Sequence, residues 1–242
     1  MTLPEALALL ALATMGAFVQ SISGFGFSLF IVPPLAILLG PGDAVVVSNA
    51  LALFNNGYMA VTTRRHIAWR LWSVLIVSAA LGMPVGLLVL EAVDPDTMKI
   101  SIAVVVIIST LLIWRGFRLH RSNLLLDSTT GFISGVLNTT TSMNGPPVVL
   151  YMQGRGIAPS PFRATLAAYF FMSGIIAVAI FAIGGRVDGG TFAQVGVALP
   201  GILVGWYVGN RVFERLGTER FRSIVIVVLL LSAVIALVTA TL

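Results

Sequence analysis

Cysteine is absent from the 242 residues. That excludes disulfides, thiolate metal sites and a cysteine nucleophile. The two histidines, His66 and His120, both fall in hydrophilic connections, so no histidine metal centre is expected. Charge is scarce as well. Asp, Glu, Lys and Arg make up 10% of the chain, where a soluble domain carries about 25%. None of them falls well inside an apolar stretch, so the materials of a proton relay or a cation path are missing. There is no G-x-S-x-G, no H-E-x-x-H, no P-loop and no pair of carboxylates. No enzymatic activity, no cofactor and no metal is therefore expected, and primary transport would need a separate ATP-hydrolysing partner. The net charge of +5 comes almost wholly from arginines between apolar stretches. That reports orientation in a membrane and not binding to nucleic acid.

What is there is hydrophobic: 58% of the residues, with a mean hydropathy of +1.03. Apolar segments run over approximately 5–39, 44–63, 71–90, 99–114, 128–153, 164–184, 191–210 and 223–241. Turn and cap signals separate them, among them Pro41-Gly42-Asp43, Asp94-Pro95-Asp96, Ser160-Pro161 and Gly184-Gly185. This is the pattern of an all-α integral membrane protein that crosses the bilayer several times, read here as one membrane domain over 1–242. The stretch from Leu3 to Val19 lacks a basic leader and a small-x-small cleavage site, so it is expected to be retained. Trp69, Trp72, Trp114 and Trp206 lie near segment ends, where indoles anchor at the interface.

The two halves resemble each other. Ala17-Phe18, a Gly/Ser break and Pro33-Pro34 parallel Gly131-Phe132, a polar break and Pro146-Pro147. Gly82-x-x-x-Gly86 parallels Gly205-x-x-x-Gly209, and Met98-Lys99 parallels Phe221-Arg222. Repeats of approximately 1–118 and 124–242 are expected. The first and fifth segments are interrupted, by SISGFG (Ser21–Gly26) and by LNTTTSMNGPPVVLY (Leu137–Tyr151). As one straight helix, a 35-residue segment would be ~50 Å long against a hydrocarbon core of ~30 Å. Each reads as two half-helices around a break.

Arginine placement supports this. Eight simple crossings would put seven basic residues on each side: Arg64, Arg65, Arg70, Arg115, Arg118, Arg121 and Arg186 against the other seven. If the first and fifth segments turn back without crossing, twelve share one side, and only Lys99 and Arg186 face the other. The second arrangement obeys the positive-inside rule. Each half then holds a broken-helix hairpin plus three transmembrane helices. Three is odd, so the repeats are inverted and both termini are non-cytoplasmic. Inverted repeats with broken helices at the midplane are the architecture of secondary transporters.

Irregular backbone at membrane depth must be buried in protein or line a polar cavity. Ser21, Ser23, Gly24 and Gly26 from one break are therefore expected to face Asn138, Thr139, Thr140, Thr141, Ser142 and Asn144 from the other. Half-helices starting near Phe27 and Pro146 would point positive ends between them, which suits a small anion. Asn49 and Asn56 share a helical face and are secondary candidates, as is Arg163. The simpler reading of each stays open: a polar stretch repairing its own helix, asparagines bonding between helices, an arginine marking the cytoplasmic side.

The stretches GAFVQSISGFGFSLFIVPPLAILLG (Gly16–Gly40), GMPVG (Gly82–Gly86) and GFISGVLNTTTSMNGPPVVLYMQGRG (Gly131–Gly156) carry a family resemblance. Over essentially its whole length the chain resembles the TauE/SafE membrane permeases, often called sulfite or sulfonate exporters. The resemblance implies a multi-pass protein of a bacterial inner membrane that moves a small anion such as sulfite or an organosulfonate. Alternating access would come from one repeat rocking against the other around a midplane site. An anion channel and a non-transporting membrane scaffold subunit are the alternatives. The partners expected are the anion and the lipid bilayer, without nucleic acid. The sequence does not specify an oligomeric state.

Overall fold

The computed structural model describes residues 1–115 and 123–213. Every regular element among them is helical: α1 (Leu3–Ser23), α2 (Phe27–Leu39), α3 (Pro41–Thr62), α4 (Trp69–Ala92), α5 (Pro95–Arg115), α6 (Leu124–Thr141), α7 (Gly145–Gly154), α8 (Pro159–Ile183) and α9 (Gly189–Phe213). A 3₁₀ turn, Arg64–His66, joins α3 to α4. The expected segment 5–39 is α1 with α2, and 128–153 is α6 with α7. The segment expected over 223–241 lies outside the described residues.

Helices α1, α3, α4, α8 and α9 are long and apolar enough to cross a membrane. Large apolar side chains such as Leu7, Val77, Leu81, Leu88, Ile183 and Leu203 are exposed along them. Soluble monomers rarely leave so much apolar surface uncovered. In a bilayer the same surface is in its proper solvent, and only the backbone must be satisfied internally.

Glycines set the closest packing and report helix direction. Gly201 sits on Leu10 and Thr14, Gly205 on Thr14 and Ala17, and Gly209 on Phe18 and Ser21. The contacts advance together, so α1 and α9 run parallel. In the same way Gly131 meets Leu75, Gly135 meets Ala79, Gly82 meets Phe132 and Gly86 meets Val136, so α4 and α6 are parallel. In both seams a Cβ on the glycine would collide with a backbone carbonyl of the neighbour. This is small-residue packing of the kind that draws helices together in lipid, where no hydrophobic drive exists between them.

The remaining directions follow from single contacts. Gly57 meets Phe171 and Gly174 meets Leu53, so α3 and α8 are antiparallel. The Ala68 N–H donates to Thr165 Oγ1 at 2.9 Å, and Leu87 lies at Gly184, so α4 and α8 are parallel. Helix α2 folds back on α1, Gly16 meeting Phe27 and Ile31. Helix α7 folds back on α6, its far end tied down where Tyr151 donates to Asp127 and Arg155 pairs with the same carboxylate at 3.2 Å. Arg64, Arg65, Arg70, Arg155 and Arg163 consequently gather at one end of the bundle. Glu91, Asp94, Asp96 and Arg186 lie at the other.

Helix starts at both ends are capped as the sequence allows. Asn123 accepts from Leu126 N at 2.8 Å, Asp94 from Thr97 N at 3.0 Å and Asp188 from Thr191 N at 2.8 Å. These backbone N–H groups hold the Asp94 and Asp188 carboxyls below the ordinary carboxylate range.

Gly135→Ala tests the α4–α6 seam. The added methyl overlaps the Ala79 carbonyl, and overpacking of this kind costs about 1–3 kcal/mol. Gly196→Ala on α9 meets nothing within 4 Å and should gain about 0.5–1 kcal/mol of helix propensity. Thermal unfolding in detergent should therefore move in opposite directions for the two variants. Equal shifts would mean that the seam is not a close contact.

Candidate functional site

The two breaks are built alike. Helix α1 ends at Ser23, after which Gly24 (φ 77) and Gly26 (φ 98) adopt left-handed conformations open to glycine. Helix α6 ends at Thr141, and Ser142 takes the left-handed position with φ 59. The Ser142 N–H donates to Asn138 O at 2.9 Å, the single bond of a left-handed helix cap, and Met143 N–H donates to Leu137 O at 3.3 Å. Among the described residues Ser142 is the non-glycine with positive φ. An L-residue held there is strained by about 1–2 kcal/mol, and such strain concentrates at functional positions.

Both breaks are shorter than the polar stretches that contain them. Ser21 and Ser23 remain in α1, and Asn138, Thr139, Thr140 and Thr141 remain in α6. Hydroxyls explain this. Ser21 Oγ donates to Ala17 O, Thr140 Oγ1 to Val136 O and Thr141 Oγ1 to Leu137 O, each at 2.8–2.9 Å along its own helix. The polar groups thus bond back to the i−4 carbonyl without interrupting the helix.

A cavity of about 30 Å³ lies where the breaks meet, room for about two waters. Of the residues singled out from sequence it takes in Gly26, Asn138, Ser142, Asn144, Asn49 and Asn56. It adds Gln20, Ser28, Ser173, Phe27 and Phe170. The first turns of α2 and α7 open onto it, and neither carries a side-chain cap. Helix starts leave their first backbone N–H groups without intrahelical partners. In α7, Pro146 and Pro147 reduce that set, because proline has no N–H.

Neutral side chains complete the wall. Ser142 Oγ bonds Ser48 Oγ at 3.1 Å and Ser28 Oγ at 3.3 Å, tying the second break to α3 and α2. Asn49 Nδ2 donates to Asn138 O at 3.1 Å. Asn144 Nδ2 donates to Ser173 Oγ at 2.9 Å, and Asn138 Nδ2 to Ser173 O at 3.3 Å. Behind them the Tyr169 hydroxyl donates to Ser134 Oγ, whose own hydroxyl donates to Asn144 O at 2.5 Å. No ionisable side chain lines the cavity among the described residues. Two helix starts and a ring of amides and hydroxyls therefore make a weakly positive, uncharged pocket.

The other residues singled out from sequence lie elsewhere. Ser23 Oγ bonds Val19 O and Phe25 O within its own break. Thr139 Oγ1 donates to Met83 O at 2.6 Å and Thr140 Oγ1 also to Gly86 O at 3.1 Å, so both serve the α4–α6 seam. Arg163, in the first turn of α8, packs its Cγ 3.7 Å from the Cβ position of Gly24 and is not in the cavity wall.

The profile of the family described as "Sulfite exporter TauE/SafE" matches residues 8–236. The chain belongs to this family. A "Probable sulfite/organosulfonate exporter TauE" from Cupriavidus necator is 23% identical over 215 residues, covering 85% of this chain and 83% of the relative. A "Probable inner membrane transporter protein TsaS" from Comamonas testosteroni is 24% identical over 177 residues, covering 69% of this chain and 72% of the relative. No solved structure matches significantly. Members of the TauE/SafE family are permeases and not enzymes, so the chain is a membrane transporter.

Sequence reading of this TauE/SafE chain missed Gln20, Ser28 and Ser173. Ser28 and Ser173 are lone polar residues in apolar helices and Gln20 directly precedes Ser21, which was the available signal. Its weakness is that an isolated serine bonds back to its own helix as readily as it faces a site.

Ser142 gives a direct test of the second break. Ser142→Val places a β-branched residue in the left-handed region and should lower stability by about 1–3 kcal/mol, whereas Ser142→Gly should keep or raise it. Detergent unfolding curves measure both. A stable Ser142→Val variant would contradict the left-handed closure of α6.

Proposed function

We propose that this chain is a secondary transporter that exports a small sulfur oxyanion, sulfite or an organosulfonate, across a bacterial inner membrane by alternating access. The observation that carries the reading is the uncharged cavity at which the starts of α2 and α7 converge. Helix starts and neutral donors bind an anion without burying an opposite charge. The names of the two relatives supply the sulfur chemistry and the membrane. Ser173 lies near the middle of α8, which supports a midplane position. Asn138, Ser142, Asn144, Asn49, Asn56 and Gly26 would contact substrate directly. Ser21, Ser23, Gly24, Thr139, Thr140 and Thr141 would hold the breaks in place, and Arg163 would attract the anion at the basic end.

The inverted repeats, 1–118 and 124–242, belong to the same proposal. Exchanging α1–α4 with α6–α9 turns the α1–α9 seam into the α6–α4 seam and leaves the α3–α8 crossing in place. It also exchanges the α4–α8 packing with α9–α3. The positive-inside rule puts the basic end in the cytoplasm, and both termini outside it.

The packing alters how alternating access works. Each glycine seam joins one repeat to the other, so rocking of repeat against repeat would tear both seams. The moving bodies are instead α1 with α9 and α3, and α4 with α6 and α8. They meet at the α3–α8 crossing beside the cavity. Two waters' worth of space is less than a sulfonate needs, so the bodies part to admit it.

Purified chain in proteoliposomes should show saturable flux of sulfite or a sulfonate in a panel that also holds sulfate, acetate and lactate. Asn144→Leu should weaken apparent affinity by roughly 10- to 100-fold, the loss of one donor to a charged ligand. Flux of carboxylates alone would discard the sulfur assignment, and no flux from folded protein would sink the reading. The moving boundary has its own test. A Cβ on Gly174 would lie 3.3 Å from Leu53 Cβ, close to disulfide spacing. Oxidising Leu53→Cys/Gly174→Cys should arrest flux and reductant should restore it. Undiminished flux in the oxidised protein would show that the crossing does not move.

A further inference from the structure

Asn55 stands out because nothing in the described site uses it. It lies on α3 with 6% of its surface exposed. Neither its Nδ2 nor its Oδ1 has a hydrogen-bond partner. Buried amides are nearly always satisfied, and an orphaned one calls for an explanation such as a water or a ligand. Asn55 lines a second small cavity of about 10 Å³, together with Gln20, Ser21, Asn56, Met59 and Trp206. That is the space of about one water.

This chamber adjoins the first cavity. Gln20 and Asn56 line both. Between the two stands their mutual bond, Gln20 Nε2 donating to Asn56 Oδ1 at 2.5 Å. Asn56 Nδ2 is meanwhile held by Ala52 O at 2.7 Å. Along α3 the chamber is reached by moving from Asn49 toward Arg64 and Arg65, that is, from the first cavity toward the basic end. Its lining is uncharged, and polar apart from Met59 and the Trp206 ring.

Resting on the transport reading above, we infer that the Asn55 chamber is a second station for the same small oxyanion, between the central cavity and the basic end. The Gln20–Asn56 bond is the partition between the stations. An oxyanion arriving from the basic end is met by the Asn55 amide. Its oxygens then compete with Asn56 Oδ1 for Gln20 Nε2, the bond opens and the two chambers join. Asn55 donates to the anion in passage and is left unpaired when the station is empty. A station with weak, neutral donors suits passage, because a tight site would hold the anion and stop flux.

The test uses the full chain in proteoliposomes, with sulfite and the same anion panel as probes. Asn55→Asp keeps the shape and adds a negative charge, which should cut turnover more than tenfold. Asn55→Leu removes the donor and should cut turnover several-fold. Equilibrium binding of the transported anion in detergent should stay within about twofold of the wild type in Asn55→Leu, because the central cavity is intact. Asn55→Leu should also unfold at or above the wild-type temperature, since an unpaired buried amide has been replaced by an apolar group. Wild-type turnover in both variants would overturn the station while leaving the central site standing. Flux that falls together with unfolding temperature in Asn55→Leu would overturn it too, as a structural amide. If the wild type moves no anion of the panel, the transport reading fails and takes the station with it.

Discussion

A helix broken inside a membrane exposes N–H and C=O groups to a medium that cannot bond them. Everything else in this structure follows from containing two such breaks. Each must be enclosed by protein, and the enclosure has to be close, because a loose one would admit lipid. The glycine seams provide that closeness. Where Gly86 lies on Val136 and Gly205 on Thr14, helix backbones touch with no side chain between them. The long helices then form walls, and the short helices α2 and α7 fit between them with their starts facing inward. Satisfying the breaks from one another is what brings Ser28, Ser48 and Ser142 within 3.3 Å.

Containment also determines the chemistry. A buried lysine or arginine beside the breaks would bind an anion more tightly, but would need a partner whenever the site was empty. Amides and hydroxyls have no such requirement, since they bond each other in the absence of ligand and exchange those bonds when it arrives. Asn144 with Ser173, and Asn49 with Asn138, bond each other in this way around the cavity, and on the proposed reading an arriving anion would take over those bonds. Charge is kept at the ends of the bundle, where on the proposed reading arginines would raise the local anion concentration.

These features were unequally legible. The positions of the breaks could be read from Gly24, Gly26 and the prolines, because conformation there is dictated by residue type. The glycine pairs pointed to close helix contacts for the same reason. The threonines could not be assigned a face. Thr139, Thr140 and Thr141 are each able to bond their own helix, a neighbour or a ligand, and only the rotation of α6 against α4 turns two of them to the seam. Ser173 is separated from Asn144 by 29 positions and meets it through tertiary packing alone, as Gln20 meets Asn56 across 36. The pairing of α1 with α9 and α4 with α6 is likewise a property of packing, which no repeat pattern in the chain announces.

That pairing decides which parts can move. A glycine seam is a set of backbone contacts without slack. A shift of one turn would set the helix against larger neighbours, and overpacking alone costs about 1–3 kcal/mol per site. The bonds across the cavity are single hydrogen bonds between neutral groups, each with a net value of about 0.5–1.5 kcal/mol, and an anion that replaces them offers bonds of its own. On the proposed reading the weak boundary is the one bridged by Asn49 with Asn138 and by Ser48 with Ser142, and the strong contacts are the α1–α9 and α4–α6 seams. A transporter needs its flexible boundary at the substrate, where binding can bias it, and rigid contacts elsewhere. The breaks and the glycines together give this chain that distribution.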